Sequence, residues 1–224
     1  MIHAAMLRQT FDGGLVAASV AIAILSSYAA LTFSGRVGAT HGTTKYAWLV
    51  GGGLLMGLGI VAMHFVGMLA MGLGVPAGFE LVRTLASAVL AVIASTAALA
   101  IGSGRSLKPP RLAAGALAAG TAISGMHYLG MAAMRGAFIV HHDPVRVAIS
   151  IAIAISAAGA TLCLAFYGDD NPGLRGSLLR AASAVAMGFA IAGMHYTAMS
   201  AAHFEMSAAA DAVSSGQLIG HRNL

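Results

Sequence analysis

Apolar residues fill six long stretches of this chain, and polar residues are confined to the short breaks between them. The stretches lie near 14–33, 46–71, 81–101, 112–134, 145–167 and 177–201. Each is long enough, as a helix, to cross about 30 Å of hydrocarbon. The breaks carry turn chemistry: Val75-Pro76-Ala77-Gly78, Lys108-Pro109-Pro110-Arg111 and Asp169-Asp170-Asn171-Pro172-Gly173. The pattern predicts an all-α membrane protein with six transmembrane helices. The first stretch is preceded by Arg8 and Asp12 and is too long for the core of a cleaved signal, so it reads as a retained span.

Within the second, fourth and sixth stretches one phrase recurs: Met63-His64-Phe65-Val66-Gly67-Met68, Met126-His127-Tyr128-Leu129-Gly130-Met131 and Met194-His195-Tyr196-Thr197-Ala198-Met199. The histidines are 63 and 68 residues apart and lie 18, 15 and 18 residues from the span starts at Tyr46, Leu112 and Ser177. At roughly 1.5 Å per residue they share one depth, toward the far end of each even span. Spans 1+2, 3+4 and 5+6 therefore read as three repeats of a two-helix unit, an arrangement that can gather equivalent side chains at a shared interface. Gly53, Gly57, Gly59, Gly67, Gly125, Gly130, Gly188 and Gly193 surround the motifs and permit close helix approach. Gly72 and Gly74 are expected to end the second span.

A polar side chain at membrane depth faces the bundle interior and marks a functional site by default. A lone histidine there can equally bond a carbonyl and fasten two helices. Three at matched depth, each with methionines one before and four after, point to a metal. Met68, Met131 and Met199 share a helix face with His64, His127 and His195. Met63, Met126 and Met194 lie about 100° round the helix, turned toward a neighbouring helix or a second metal. Imidazole with thioether suits copper. Met71, Met134 and His203 sit further out, as a bundle mouth or an outer ligand set; Met6, Met56, Met187 and Met206 read as packing or loop residues. Phe65, Tyr128 and Tyr196 either shield the site or bond near it, or belong to an aromatic belt.

Composition narrows the function. With 58% hydrophobic and 8% charged residues, the chain is far below the roughly 25% charge of a soluble domain. The net charge of +5 is scattered between spans and forms no nucleic-acid face. Seven basic residues, among them Arg36, Lys45, Arg105, Lys108 and Arg111, fall on the side of the first loop, and five on the other. The positive-inside rule then places the N-terminus outside. Cys163 is the sole cysteine, so no disulfide framework or thiolate cluster forms within one chain. No span core holds an acidic residue, which argues against a proton-coupled pump, and no catalytic arrangement is present. His141-His142 lies in an expected outer loop and reads as solvated, the alternative being capture of metal before entry; His3, His41 and His221 lack context.

Met194-His195-Tyr196-Thr197, with its two variants, resembles the MHYT domain of bacterial integral-membrane sensors over nearly the whole chain. The resemblance implies a six-helix unit over 1–204 in the inner (cytoplasmic) membrane, with the motifs near the outer face. It also implies copper held by Met and His residues, and sensing of oxygen, carbon monoxide or nitric oxide. Cytoplasmic GGDEF and EAL domains that make or break cyclic-di-GMP, in cis or in trans, would be the output. The tail from 205 to 224 is expected to lead toward a seventh span. Three rivals stay open: a copper transport or insertion protein, a haem-b protein with two axial histidines, and a structural protein whose histidines join helices.

Overall fold

The computed structural model describes residues 6–103, 108–167, 173–207 and 218–220. Six helices dominate it: α1 (Gly13–Ala39), α2 (Gly42–Leu69), α3 (Leu81–Gly102), α4 (Pro109–Ala132), α5 (Pro144–Tyr167) and α6 (Leu174–Ser200). Local chemistry sets several starts. The Asp12 carboxylate accepts from the Leu15 amide at the head of α1, and Asp143 accepts from Val145 and Arg146 at the head of α5. Pro109 and Pro110 open α4, where a missing N–H costs nothing.

Each helix packs on its chain neighbours, and α6 returns to α1, closing a ring. The ring is apolar outside. Leu54, Leu58, Leu85, Val89, Ile93, Leu178 and Phe189 are exposed, whereas Ser19, Ser27, Ser87, Ser95, Ser150 and the three motif histidines are buried. Ser19, Ser27, Ser87 and Ser150 return their hydroxyl protons to carbonyls of their own helices. Five helices, α1, α2, α3, α5 and α6, are long and apolar enough to cross a membrane, and the chain is a multi-pass membrane protein.

Glycine lets the helices touch. A Cβ on Gly57 would fall 2.6 Å from Val92 Cα, one on Gly120 2.5 Å from Ile155 Cα, and one on Gly188 2.7 Å from Ile24 Cα. All three glycines sit seven residues before a motif histidine. Gly193 has open space instead and Gly125 an ordinary contact with Leu90, so the expectation of close packing there does not hold.

At one end the helices are tied by short strands that the hydrophobic pattern did not foretell. β1 (Thr10–Phe11) pairs with β2 (Met71–Gly72), β3 (Ala77–Glu80) with β4 (Met134–Gly136), and β5 (Phe138–His142) with β6 (Ala202–Met206), all antiparallel. In each ladder, the strand before an odd helix pairs with the strand after the following even helix. The segments expected as loops at Val75–Gly78 and His141-His142 thus contribute to ladders, because their backbone groups find partners there. For the same reason α2 and α4 stop at Leu69 and Ala132, before the expected 71 and 134, and α6 stops at Ser200. All three begin earlier than expected, and α1 runs on to Ala39. Gly72 and Gly74 do follow the end of α2. Of the tail from 205, Glu205 and Met206 belong to β6, and β7 (Leu218–Gly220) pairs with β3. His3, Arg105, the Asp169–Pro172 break and tail residues 208–217 and 221–224, His221 among them, lie outside the described residues.

Candidate metal centre

Helices α2, α4 and α6 each bring one histidine to a common point. The Nδ1 of His64 lies 3.1 Å from that of His127 and 3.3 Å from that of His195, and the remaining side of the triangle is 3.2 Å. All three residues have no solvent exposure. Their rings meet edge to face, with centroids 4.9, 5.0 and 5.2 Å apart.

Hydrogen bonding alone does not satisfy this triangle. A neutral imidazole carries one N–H and one lone pair. With the protons on Nδ1, three hydrogens crowd together while three Nε2 acceptors lack donors. With the protons on Nε2, three lone pairs converge and three buried N–H groups lack acceptors. In either case the Nε2 atoms of His64, His127 and His195 have no partner among the described residues. Each such group costs about 1–3 kcal/mol. A cation at the convergence resolves the lone-pair problem. The nearest point equidistant from nitrogens 3.1, 3.2 and 3.3 Å apart lies about 1.85 Å from each, close to a metal–imidazole bond of about 2.0 Å. The donor set fits a small transition-metal ion.

The far ends of two rings rest on neighbouring helices. A Cβ at Gly67 would lie 2.3 Å from His195 Nε2, and one at Gly130 would lie 2.2 Å from His64 Nε2. Only glycine allows these approaches without the ring shifting.

The methionines divide into two groups. Met68, Met131 and Met199 join a single buried cluster with Met71, Met134, Phe138 and Phe204, beneath the ladders. Met63, Met126 and Met194 are buried too, but in separate clusters: Met63 with Ala23 and Ile191, Met126 with Met56 and Ile60, Met194 with Ala154 and Ala198. Met71 and Met134 thus close the mouth of the bundle as packing residues, whereas His203 stands on β6 opposite His141.

Phe65, Tyr128 and Tyr196 each set an edge against the preceding histidine, at 4.9, 5.0 and 4.9 Å between centroids. Tyr196 shares a 2.6 Å hydrogen bond with Ser19 on α1, and Tyr128 a 2.7 Å bond with Ser150 on α5. Phe65 has no hydroxyl, and the buried Ser87 of α3 uses its own on the Thr84 carbonyl. Ser19, Ser87 and Ser150 are 68 and 63 residues apart. That spacing was the signal by which sequence reasoning, which passed over them, could have found this ring. His142 packs its ring on Tyr128, and burial, then its neighbour His141, hold it below the usual histidine range.

The family described as MHYT, bacterial signalling protein N-terminal repeat, matches residues 57–115, 120–176 and 188–215. Among curated proteins, the chain is 44% identical to the bifunctional diguanylate cyclase/cyclic di-GMP phosphodiesterase MucR of Pseudomonas aeruginosa, over 94% of this chain and 31% of that protein. It is 35% identical to the signaling protein YkoW of Bacillus subtilis, over 88% of this chain and 25% of the relative. A third relative, the cyclic di-GMP phosphodiesterase NbdA of Pseudomonas aeruginosa, is 33% identical over 94% of this chain and 28% of its own length. The chain therefore spans about a third or less of these relatives. No solved structure matches it. The chain belongs to the MHYT family of bacterial signalling proteins.

Proposed function

We propose that this chain is a copper-binding sensor domain that reads a diatomic gas or redox state and signals to a cytoplasmic output. One observation carries the reading: three fully buried imidazoles on three different helices bring their Nδ1 atoms to within 3.1–3.3 Å. His64, His127 and His195 hold the metal, and Met68, Met131 and Met199 supply soft donors or a polarizable lining on the ladder side. Met63, Met126 and Met194 seat the three histidines against separate neighbours. When bound, copper(I) supplies a coordination position open to oxygen, carbon monoxide or nitric oxide.

All six helices cross the bacterial inner membrane as three two-helix repeats, with the N-terminus and ladders outside. Support comes from the position of α4, packed between α3 and α5, and from the three ladders that close successive helix pairs. A change at the triad acts on α2, α4 and α6 together, since each contributes one ring, and it biases helix packing in the way a ligand shifts a two-state equilibrium. The output is a GGDEF/EAL cyclic-di-GMP enzyme, in cis or in trans; the names of MucR and NbdA support this choice.

The competing readings fare less well. Rings in mutual contact leave no slot for a porphyrin plane between two of them, which weighs against haem b. Copper transport is favoured by methionines further along the bundle, Met56 and Met126 among them. Against it, a cavity lined by Met56 and Met194 measures about 20 Å³, room for a single water rather than a passage. Carbon monoxide added to the reduced, copper-loaded protein should produce an infrared CO band that H195A lacks. No band with either carbon monoxide or nitric oxide would remove gas sensing and leave a copper-exchange or structural role.

A further inference from the structure

Beneath the triad the bundle interior is built in layers of repeat-equivalent side chains. Ile60, Ile123 and Ile191 stand four residues before the motif histidines, and Met56, Ala119 and Met187 four before those. At roughly 1.5 Å per residue the layers lie about 6 and 12 Å further into the bundle. Met56, Ala119 and Met187 are all buried. The second repeat thus carries alanine where the other two carry methionine. Its missing thioether leaves a cavity of about 20 Å³ lined by Met56, Ala119, Ile123, Ile191 and Met194, with Thr161 among the rest. A smaller cavity of about 10 Å³ shares Met56, Ala98 and Thr161 with it. Met187 lines neither.

Space of this size admits a water, which needs about 10–15 Å³ and two to four polar partners. The partners are missing. Among the described residues that line either cavity, only Thr161 has a polar side chain, and its hydroxyl donates to the Ala157 carbonyl of its own helix at 2.8 Å. A diatomic gas is little wider than a water, asks for no hydrogen bond and gains by leaving water for an apolar site. We propose that this cavity is a docking site for an apolar diatomic gas such as oxygen, carbon monoxide or nitric oxide, one to two helical turns beneath the triad. Its use as a store that supplies the triad rests on the gas-sensing reading above.

Dissolved oxygen is paramagnetic and speeds the relaxation of any methyl group beside it. The full chain, labelled with ¹³C at the methionine methyl groups and placed in detergent under oxygen or nitrogen pressure, tests the proposal. Oxygen should relax Met56 and Met194 faster than the equally buried Met187. H64A/H127A/H195A should show the same excess, free of any copper that could itself relax a methyl group. A119M restores the methionine of the other two repeats, so it should fill the cavity and lose the excess at Met56. A158V narrows the same space from α5 and serves where A119M does not fold. Equal relaxation of Met56 and Met187 in wild type, or an excess that survives both substitutions, would overturn the proposal. Carbon monoxide separates this site from the sensing reading. A119M should keep its copper yet bind carbon monoxide more slowly when reduced, and an unchanged rate would overturn the supply role. No carbon monoxide band in wild type, with the oxygen effect at Met56 intact, would remove gas sensing and leave the docking site standing.

Discussion

His64 and His195 each end on the backbone of the next motif helix, at Gly130 and Gly67 respectively. These glycines are second partners of the triad, holding each ring where its Nδ1 meets the others. Gly67→Ala and Gly130→Ala should therefore act on the site before they act on the fold. The new methyl group pushes a ring from its place, and misplaced metal-ligand support typically costs about 10–100-fold in affinity. Copper affinity of the two variants, measured by competition with a chelator of known strength, should fall by about tenfold or more. Wild-type affinity in both would mean that the rings do not need these contacts. The third motif has Ala198 at this position, fully buried, so the three copies are not equivalent in their support. Histidine spacing was legible in the sequence because a repeated His-x-x-x-Met sits on one helix face. The glycine contacts were not, since they join residues 66 and 128 positions apart whose meeting depends on how the helices cross.

At the scale of helices, the glycines seven residues before each histidine set the distance between neighbours. Gly120→Ala would place a methyl group on the backbone of α5, where nothing flexible can yield. Overpacking of this kind costs about 1–3 kcal/mol. Gly193 has no neighbour among the described residues within 4 Å of a Cβ. There alanine should be neutral or stabilise by about 0.5–1 kcal/mol through helix propensity. Thermal unfolding in detergent distinguishes the two: Gly120→Ala melts lower than wild type and Gly193→Ala does not. Equal losses would show that these helices do not meet as closely as described. Six helices were readable from apolar runs and their Pro/Gly breaks, with bounds off by up to six residues at the end of α1. The strands were not. Each has only two to five residues and draws its partners from a distant segment, as β5 does from β6, so no local periodicity announces it. His141 and His142 illustrate the consequence, since a loop reading makes them neighbours in solvent whereas the ladder sends them to opposite faces.

For the whole molecule, the ring of six helices places apolar side chains outward and serines, glycines and histidines inward. Composition was enough to foresee a multi-pass membrane protein. Convergence of the histidines was not a matter of composition; equal depth was visible in the spacing, but proximity required the closure of α6 on α1. That closure turns three separate motifs into one triangle of imidazoles whose three Nε2 atoms have no partner among the described residues. The account stands on a metal ion at its centre. Copper content per chain, measured by mass spectrometry on protein purified in mild detergent and washed with EDTA, tests this most directly. EDTA removes surface metal, so about one tightly held copper should remain in wild type and be lost in H64A, H127A and H195A, each still folded by circular dichroism. Copper retained in full by the three variants, or none in wild type after loading with copper(I), would contradict the account.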